Sequence, residues 1–428
     1  MAINFYDIAY GFGVGISAPV WIVRSKTRKK VLEAFSQRMG HVAPRAGELP
    51  AVMIHAVSVG ELNAARGLID QLSAQRPELQ FIISTTTRTG YERSQELYGN
   101  RPDVTLIHYP LDFSAAVARV LDHVKPSLVI LMELELWPNF IAACHRRGIP
   151  VVLANGRITL TSFKGYRLGS VVTRRMLGRL AAVCAQDPSY AERFIALGAN
   201  PEKTTVTGTM KFDTAPASTH VDGVDELARA MNIRSPLWVC GSTGPGEEEI
   251  VLRTYRQLLE EFPTLQLVIV PRKPERFDEI ASLIERERFP CQRRSNGALT
   301  HAEMPGTPVI LGDTMGELRK FYALADVVFV GRTLVDLGDK QHGSDMIEPA
   351  ALGKPTIVGA FTGNFAETMT AFRDASAMIE VATAEDLASQ VAALLKNPGK
   401  IGARAREVVA THRGATARTL TIINQILT

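Results

Sequence analysis

Short apolar runs alternate with amphipathic stretches along most of the chain. The first run, AVMIHAV at 51–57, consists mainly of apolar and β-branched residues, which favours a buried strand. It is followed by a stretch in which apolar residues such as Leu62, Ala65 and Ile69 recur at helical spacing. The same alternation continues through both halves of the chain, so the sequence predicts a series of strand–helix units.

The predicted strands fall into two series. In the first half they are 51–57, 81–87, 104–110, 127–135 and 149–155, and in the second half they are 236–242, 265–271, 307–313, 326–331 and 354–360. Because these runs are nearly all apolar, they are typical of parallel strands that helices cover on both faces. Strands and helices that alternate in this way predict an α/β fold with doubly wound sheets.

A segment near the middle of the chain interrupts the alternation. Residues 207–235 begin with TGTMKFDTAPASTHVDG and are rich in Thr, Ala, Pro and Gly, which indicates a connection between domains. The length of 428 residues also favours two domains over one. We therefore predict two Rossmann-like domains, 46–215 and 216–428, that face a cleft and bind ligands at the carboxyl ends of their strands.

The N-terminal segment, residues 1–45, follows a different pattern. It is largely apolar from Phe5 to Val23. The cations that follow at once are Arg24, Lys26, Arg28, Lys29 and Lys30. Cations placed directly after an apolar segment are typical of the cytoplasmic side of a membrane with anionic lipid. We predict attachment to the cytoplasmic side of the inner (plasma) membrane, although Asp7 and Pro19 leave spanning, interfacial and buried core helices all open.

The composition is that of an ordinary globular protein, with 46% hydrophobic and 21% charged residues. The formal net charge of +4 is spread along the chain and does not indicate a nucleic acid partner. The four cysteines are isolated from one another, which argues against a zinc site or a disulfide framework. Since the nine histidines are scattered and no D-x-D pair is present, we predict no metal and no other cofactor.

Polar residues follow the first predicted strand, where a doubly wound sheet binds its ligands. In SVGE at 58–61, Gly60 permits a tight turn and Glu61 falls in the first turn of the helix. The backbone dipole favours an acid at this position and is expected to keep it ionised at neutral pH. Two roles stay open for Glu61: a structural acid at a helix N-terminus, or a base that accepts a proton from an attacking hydroxyl.

Two further polar sets follow strands of the first half. MELELWP at 132–138 carries Glu133 and Glu135, which strand alternation places on one face, where two acids need partners if they are buried. A functional pair and a solvated strand end are both open. TTTRTG at 85–90 supplies hydroxyls, an Arg and a helix N-terminus, which suit a phosphate or a sugar but are also ordinary beside a strand.

The second half has three comparable sets. GSTGPG at 241–246 matches the glycine spacing of a P-loop, but Glu247 and Glu248 replace the required Lys and Ser or Thr, which argues against an ATPase. Anion binding by its backbone amides stays open. PRKPERF at 271–277 places cations at a strand end, where they suit a phosphate. Glu348 precedes a helix and a strand, and this placement suits a group that binds ribose hydroxyls.

Eleven motifs occur in one order along the chain. They are HAVSVGE (55–61), TTTRTGYER (85–93), YPLD (109–112), ELELWPN (133–139), NGRIT (155–159), TGTMKFD (207–213), GSTGPGEEE (241–249), PRKPERF (271–277), GDTMGEL (312–318), EPAALGKP (348–355) and GNF (363–365). Together they resemble the 3-deoxy-D-manno-octulosonic acid (Kdo) transferase family of lipopolysaccharide assembly, over essentially the whole chain. The resemblance implies a two-domain GT-B fold, a CMP-Kdo donor, a lipid A precursor (lipid IVA) as acceptor, and inversion at the anomeric carbon.

The resemblance also implies roles for particular residues. Glu61 would be the general base, and Glu133 and Lys211 would stabilise the transition state. The residues expected to bind CMP-Kdo are Pro271, Arg272, Met315, Gly316, Glu317, Ser344, Asp345, Ile347 and Glu348. Because CMP carries one phosphate fewer than UDP, a Lys, an Arg and helix N-termini can balance its charge without a metal. A membrane anchor would raise the effective concentration of a lipid acceptor.

The chain departs from the family's pattern around the expected donor site. The family usually has G-G-H-N-x-x-E-P before its EP motif, whereas this segment is longer, carries its histidine at His342 and has Asp345 in place of Asn. Asp345 would repel a phosphate unless it is paired. Gly244 replaces a residue that is often His, and Arg332 replaces a usual Gly. Two alternatives stay open: another GT-B transferase or epimerase that uses a UDP-sugar, and a non-enzymatic, membrane-associated nucleotide-binding protein.

Overall fold

The chain forms two compact units, each built around a parallel sheet. The computed structural model describes residues 4, 6–8, 10–12, 34–216, 218–297, 307–338 and 343–428. One unit comprises Met1–Thr214 together with Arg413–Thr428, and the other comprises Ala215–His412. In the described residues, each unit contains a seven-stranded sheet whose neighbouring strands are parallel.

Strands and helices alternate through the first unit. The strands are β1 (Ala51–His55), β2 (Gln80–Thr85), β3 (Val104–His108), β4 (Leu128–Met132), β5 (Val151–Gly156), β6 (Ala182–Ala185) and β7 (Thr204–Val206). The helices are α1 (Phe35–Arg38), α2 (Val59–Gln75), α3 (Arg88–Tyr98), α4 (Ser114–Val124), α5 (Pro138–Arg146), α6 (Leu160–Leu168), α7 (Ser170–Leu177) and α8 (Pro188–Ala196). The sheet order is β3-β2-β1-β4-β5-β6-β7, so its switch point lies between β1 and β4.

The two faces of this sheet belong to separate cores, which explains why its strands are apolar throughout. In β1, Met53 lies in one core, whereas Val52 and Ile54 lie in the other. Phe140 of α5 packs in the first core, and Leu68 of α2 packs in the second. Because side chains alternate between the faces of a strand, a sheet buried on both sides needs apolar residues at successive positions.

The second unit repeats this plan. Its strands are β8 (Leu237–Thr243), β9 (Gln266–Pro271), β10 (Cys291–Arg293), β11 (Val309–Leu311), β12 (Val327–Val330), β13 (Thr356–Gly359) and β14 (Ile379–Val381). Its helices are α9 (Val224–Met231), α10 (Glu247–Glu261), α11 (Phe277–Arg286), α12 (Leu318–Leu324), α13 (Ile347–Ala351), α14 (Ala366–Asp374), α15 (Ala384–Lys396) and α16 (Ile401–His412). The sheet order is β10-β11-β9-β8-β12-β13-β14, with its switch point between β8 and β12. The prediction of an α/β fold with two doubly wound sheets is confirmed.

The last helix, α17 (Ala415–Leu427), belongs to the first unit. Its residues Leu420 and Ile423 are buried in the same core as Leu68 and Ile69 of α2. The predicted domain 216–428 is therefore wrong for residues 413–428. The physical reason is that the apolar face of this helix is buried against the first sheet, a contact between distant parts of the chain that local periodicity does not reveal.

Much of the predicted membrane-attachment segment, residues 1–45, lies outside the described residues, including the cations at 24–30. Near the start of the chain, Asp7 is buried, and its carboxylate accepts hydrogen bonds at 2.6 Å from both the N–H and the hydroxyl of Ser114. In the part of the chain that the structure describes, no helix has the length and apolar character needed to cross a membrane.

Candidate active site

Glu61 lies in the first turn of α2, directly after the switch-point strand β1. The hydroxyl of Ser58 caps the helix by accepting from the N–H of Glu61 at 3.5 Å, and it donates to the Oε1 of Glu61 at 3.1 Å. The N–H of Val57 donates to the Oε2 of Glu61 at 2.8 Å. These reciprocal bonds, which resemble a capping box, fold SVGE into a helix start and hold the Glu61 carboxylate at the carboxyl edge of the sheet.

The surroundings of Glu61 raise the pKa of its carboxyl to about 7. Burial is the largest cause, and the charge of Glu133 adds to it, whereas the bonds from Val57 and Ser58 lower the pKa. The charge of Glu135 makes a smaller contribution in the upward direction. The expectation that the helix dipole keeps Glu61 ionised at neutral pH holds only in part: with a pKa of about 7 the carboxyl is about half ionised there, because burial and two acidic neighbours oppose the dipole.

Glu133 follows β4, the strand next to β1. The strand ends at Met132, and Glu133 adopts a left-handed backbone with φ of 57° while its N–H donates to the carbonyl of Ala154 at 2.9 Å. The predicted strand 127–135 is thus too long, and strand alternation does not place Glu133 and Glu135. A left-handed conformation costs a non-glycine residue roughly 1–2 kcal/mol and is common at functional sites.

Glu135 contacts one residue of its own motif, Trp137, and one of the HAVSVGE motif, His55. Its Oε2 accepts a hydrogen bond from the indole N–H of Trp137 at 3.0 Å and lies 3.8 Å from the Nε2 of His55. His55 is fully buried, its Nδ1 lies 3.1 Å from both the carbonyl and the hydroxyl of Ser84, and its ring stacks on Tyr109. Burial raises the pKa of Glu135, but the contacts with His55 and Trp137 outweigh it, so the pKa is lower than usual. Glu135 therefore stays ionised at neutral pH.

Lys211 lies in a short 3-10 helix, Met210–Asp213, that follows β7. The hydroxyl of Thr209 caps this turn by accepting from the N–H of Lys211 at 3.4 Å. The N–H of Met210 donates to the side-chain carbonyl of Asn155 at 3.0 Å, and Asn155 is fully buried near the end of β5. The first unit therefore places the backbone turns of all three predicted catalytic residues at the carboxyl edge of its sheet.

Asp213, at the end of the Lys211 turn, caps the last helix of the chain. Its Oδ1 accepts from the N–H of Gly414 at 2.7 Å, and its Oδ2 accepts from the N–H of Thr416 at 2.6 Å. Two donors at the start of α17 are thus satisfied by a carboxylate from a distant segment. Arg418 in the same helix donates to the carbonyl of Thr207 at 2.7 Å. The Lys211 turn and α17 therefore hold each other in place.

In the second unit, two arginines lie at the carboxyl edge of the sheet. Arg272 follows β9 and Arg332 follows β12, the two strands that flank β8. Burial lowers the pKa of Arg332, and the positive charge of the nearby Arg272 lowers it further. A Cβ atom on Gly244 would lie 2.9 Å from the Cγ of Arg332 and 2.7 Å from the Cδ1 of Leu337. The departures at positions 244 and 332 are therefore linked, because Gly244 leaves the space that Arg332 occupies.

The two glutamates after GSTGPG bind protein groups. Glu247 is fully buried, and its carboxylate accepts four backbone N–H bonds of 2.6–2.9 Å. The donors are Gly244, Arg332, Thr333 and Leu334. Glu248 is also buried and forms a bidentate pair with Arg276 at 2.7 and 3.1 Å. These bonds explain the acids in GSTGPGEEE, since Glu247 fixes the backbone turn that carries Arg332.

The expected donor residues Pro271, Met315, Gly316 and Glu317 have different surroundings. Pro271 is buried at the end of β9, whereas the side chain of Met315 is 71% exposed. Gly316 has φ of 83°, which only glycine adopts readily. The carboxylate of Glu317 accepts from the hydroxyl of Thr314 at 2.6 Å and pairs with the side chains of Arg294 and Lys320. Its side chain is thus already engaged by protein groups.

The expected donor residues from Ser344 to Glu348 lie at the start of α13. The hydroxyl of Ser344 donates to the carbonyl of Ser242 at 3.2 Å, and Ile347 is fully buried. The Oδ1 of Asp345 accepts from the N–H of Ile347 at 2.9 Å, so this carboxylate has a partner in its own turn. Burial raises the pKa of Glu348 to about 7, the charge of Asp345 adds to this, and Arg319 opposes it.

The structure also identifies residues that the sequence argument missed. His55 and Asn155 support the acidic residues and the Lys211 turn, while Asp213 and Glu247 anchor α17 and the Arg332 turn. Each of them lies within one of the eleven motifs, so the motifs could have marked these residues as candidates. The motifs do not indicate, however, which residues contact one another. Within the described residues, no group of three or more His, Cys, Asp or Glu side chains is placed to hold a metal ion.

Known proteins similar to this chain include several transferases. A family model described as 3-deoxy-D-manno-octulosonic-acid transferase (kdotransferase) matches residues 33–214. The 3-deoxy-D-manno-octulosonic acid transferase of Haemophilus influenzae is 37% identical over 382 residues, which cover 88% of this chain and 87% of that protein. The solved C-terminal CMP-Kdo binding domain of WaaA from Acinetobacter baumannii is 31% identical, with a TM-score of 0.40, and the match covers 44% of this chain and 99% of that domain.

A more distant structure shares the fold over most of the chain. The UDP-GlcNAc 2-epimerase of Neisseria meningitidis has a TM-score of 0.56 and is 14% identical, with a match that covers 88% of this chain and 100% of that protein. This likeness shows a GT-B-like fold alone. The identity to the Haemophilus influenzae protein over most of both chains shows the family. The chain therefore belongs to the 3-deoxy-D-manno-octulosonic acid transferase family.

Proposed function

We propose that this chain transfers Kdo from CMP-Kdo to a hydroxyl of a lipid A precursor, with inversion at the anomeric carbon. The observation that carries this proposal is the Glu61 carboxylate, held by Val57 and Ser58 at the edge of the first sheet with a pKa of about 7. A general base works best when its pKa lies near the working pH, since it then both ionises and accepts a proton.

In the proposed step, ionised Glu61 accepts the proton of the acceptor hydroxyl as its oxygen attacks the anomeric carbon of Kdo. The bond between that carbon and the phosphate oxygen of CMP breaks, and its electron pair leaves with CMP. Glu133 stabilises positive charge that develops on the sugar, and Lys211 balances negative charge on the leaving phosphate. The bonds that shape the turns of Glu133 and Lys211 keep both groups at the same sheet edge as Glu61.

The second unit supplies the donor site in this proposal. The positive charge of Arg272 lowers the pKa of Arg332, and an anion that binds both arginines would relieve this repulsion. The CMP phosphate is the anion that we assign to them. Glu348 binds the ribose hydroxyls, and the backbone around Met315 and Gly316 contacts the nucleotide. Asp345 keeps its negative charge beside this site, since the N–H of Ile347 hydrogen-bonds its carboxylate without neutralising it and the charge still raises the pKa of Glu348.

The acceptor is a membrane lipid, so we also propose that the protein works at the cytoplasmic face of the inner membrane. The apolar residues 5–23 and the cations that follow them support attachment to an anionic leaflet. No metal is proposed in the step. Attachment would confine the enzyme and its acceptor to one surface and raise their encounter rate.

Product analysis tests this function. The purified chain is incubated with CMP-Kdo and a tetra-acylated lipid A precursor, and the lipid is examined by mass spectrometry for added Kdo. Thermal shift measurements with CMP, UMP and UDP test the donor separately. We expect a Kdo-bearing lipid and a preference for CMP. A preference for uridine nucleotides would favour a UDP-sugar enzyme, and CMP binding without turnover would favour a non-enzymatic role; either outcome would contradict the proposal.

A further inference from the structure

Helices α6 and α7 present large apolar side chains to solvent. Leu168 is 92% exposed, Val171 is 65% exposed and Leu160 is 61% exposed. Only Gly169 separates the two helices; Leu160 and Leu168 lie about two turns apart on α6, and Val171 lies in the first turn of α7. Isolated apolar residues on a surface are ordinary, but a group of them on adjoining helices marks an interaction surface.

The folding of the first unit does not require these side chains to be apolar. The opposite side of the two helices already faces the core, where Met176 and Leu177 are buried and Phe163, Tyr166 and Val172 pack partly buried. The inward residues therefore provide the hydrophobic contacts that dock the helix pair. Folding of the unit therefore does not explain why the outward-facing residues are apolar.

The charged residues in the sequence of these helices and their flanks are all cationic. From Arg157 to Gln186 the sequence contains six Lys and Arg residues and no Asp or Glu, although the whole chain has 48 cationic and 44 acidic residues. Lys164, Arg167 and Arg175 are exposed beside the apolar residues. Exposed apolar groups flanked by cations are the pattern of a helix that lies in a membrane interface.

We propose that a basic-apolar face, formed by Leu160, Lys164, Arg167, Leu168, Val171 and Arg175, docks on the surface of an anionic lipid bilayer. The three apolar side chains insert at the boundary between headgroups and acyl chains, and the cations bind lipid phosphates above them. A nucleic acid would account for the cations but not for the exposed leucines. This surface is distinct from residues 5–30, on which the proposed membrane attachment rests.

The basic-apolar face lies beside the candidate active site. Helix α6 follows the carboxyl end of β5, the sheet edge that carries Asn155 and the turns described above. Tyr166, on the inward side of α6, is near Glu135, because that carboxylate contributes to the raised pKa of the tyrosine, of which burial is the larger cause. Docking through this face would therefore bring the bilayer next to the acids of the first unit. The inference rests on the proposed function, since it presents a lipid acceptor to Glu61.

Vesicle co-sedimentation of the full chain tests the inference without turnover. One variant combines Lys164→Gln, Arg167→Gln and Arg175→Gln, and another combines Leu168→Ser and Val171→Ser. Matched controls are the combination of Arg66→Gln, Arg146→Gln and Lys203→Gln, and the single change Leu49→Ser, all at exposed positions of the same unit. Vesicles contain either phosphatidylcholine alone or phosphatidylcholine with phosphatidylglycerol, at the lipid concentration that binds half of the unaltered chain.

We expect each variant of the face to lower partitioning onto anionic vesicles by about tenfold, because each removes several interfacial contacts. The triple variant should also become less sensitive to salt, and the controls should bind as the unaltered chain does. Unchanged partitioning of both variants would overturn the inference. Loss of binding to a nucleic acid duplex, with vesicle binding intact, would assign the face to nucleic acid and overturn it as well.

Two further measurements separate this inference from the proposed function. Circular dichroism should show that the variants remain folded, since the altered residues are exposed. Transfer to an acceptor dispersed in detergent should stay normal in both variants, whereas transfer to an acceptor embedded in vesicles should fall with vesicle binding. Absence of transfer by the unaltered chain in detergent would instead reject the proposed function and leave the vesicle-binding result interpretable.

Discussion

At the scale of single residues, Glu61 and Glu135 show how two neighbouring acids come to have different pKa values. Both lose water through burial, which raises the pKa of a carboxyl. Glu135 faces His55 and the Trp137 N–H, which favour its ionised form. Glu61 receives hydrogen bonds from Val57 and Ser58, but it also faces the charge of Glu133. The result is one fixed charge and one group that exchanges its proton near neutral pH.

The raised pKa of Glu61 predicts a pH-dependent gain in stability for Glu61→Gln. Because the folded pKa of about 7 exceeds the ordinary value of 4.5 for a glutamate, the folded state binds more protons between these values, so the contribution of this group to stability is lost as pH rises through 7. Glutamine does not titrate, so the variant does not lose stability in this way as pH rises. We expect the free energy of unfolding of the variant to exceed that of the unaltered chain by about 1–2 kcal/mol at about pH 8 and by less at about pH 5. Urea unfolding at both pH values measures the difference.

A matched control is Glu202→Gln, which changes an exposed acid in the short 3-10 helix Pro201–Lys203 of the same unit. Its stability difference should be small at both pH values. Equal stabilisation by Glu61→Gln at low and high pH would contradict the assigned proton equilibrium.

A second prediction concerns the binding of the CMP phosphate by Arg332. Replacing Arg332 by Gln should weaken CMP binding by about tenfold, which corresponds to about 1.4 kcal/mol, while cytidine binding stays the same because cytidine has no phosphate. Titration calorimetry with the two ligands measures both affinities. Arg373→Gln, which removes an exposed arginine paired with Glu380, is the control. If Arg332→Gln weakens cytidine and CMP equally, Arg332 does not bind the phosphate.

The close approach of positions 244 and 332 can be tested by replacing both residues with those that the family usually has there. Gly244→His alone should bind CMP poorly, because even its Cβ would lie 2.9 Å from the Cγ of Arg332. Combining Gly244→His with Arg332→Gly removes the clash with Arg332, leaves the side chain of Leu337 to shift away from the new Cβ, and returns a partly cationic side chain to the turn. We expect the double variant to bind CMP more tightly than Arg332→Gly alone. Additive losses in the double variant would show that the two positions are independent.

At the scale of elements, the structure shows which predictions local patterns support. Five strands of each sheet were predicted, because burial on two faces forces continuous apolar runs. The short strands β6, β7, β10 and β14, of three or four residues each, were not predicted. The position of Glu61 could also be predicted, since a glycine and a capping serine mark the start of α2. The turn at Glu133 could not, because a left-handed residue inside an apolar and acidic run has no local signal. The return of α17 to the first unit depends on contacts with residues about 200 positions away, which periodicity does not encode.

The link between the Lys211 turn and α17 predicts a shared defect in Asp213→Asn. The variant keeps the size of the side chain but replaces one acceptor of the N–H groups of Gly414 and Thr416 by an amide. We expect a loss of about 1–2 kcal/mol in stability, typical of a lost helix cap, together with slower transfer and little change in donor affinity. Hydrogen exchange of the α17 amides measures the loosening directly.

The control for this prediction is Asp386→Asn, which alters the capping box of α15 in the second unit. It should destabilise that helix start and leave transfer unchanged. Normal exchange of the α17 amides in Asp213→Asn, or slow transfer in Asp386→Asn to the same extent, would contradict a specific role for the Asp213 cap.

At the scale of the whole molecule, the two units carry different parts of the proposed chemistry. The first unit holds Glu61, Glu133 and the Lys211 turn on one sheet edge, and its helices α6 and α7 provide the basic-apolar face. The second unit holds the arginine pair and Glu348 on its own sheet edge. The proposed base with its proposed lipid-facing surface and the proposed nucleotide site therefore reside in different compact units of one chain.

The central claim is that Glu61 removes the proton from the acceptor hydroxyl. Single-turnover transfer of Kdo by Glu61→Gln, measured beside its affinity for CMP and beside the Glu202→Gln control, tests this claim most directly. We predict a rate loss of roughly 10²- to 10⁴-fold with CMP affinity unchanged, since the base acts in the chemical step and lies in the other unit from the nucleotide site. Transfer by Glu61→Gln at a near-normal rate would contradict it.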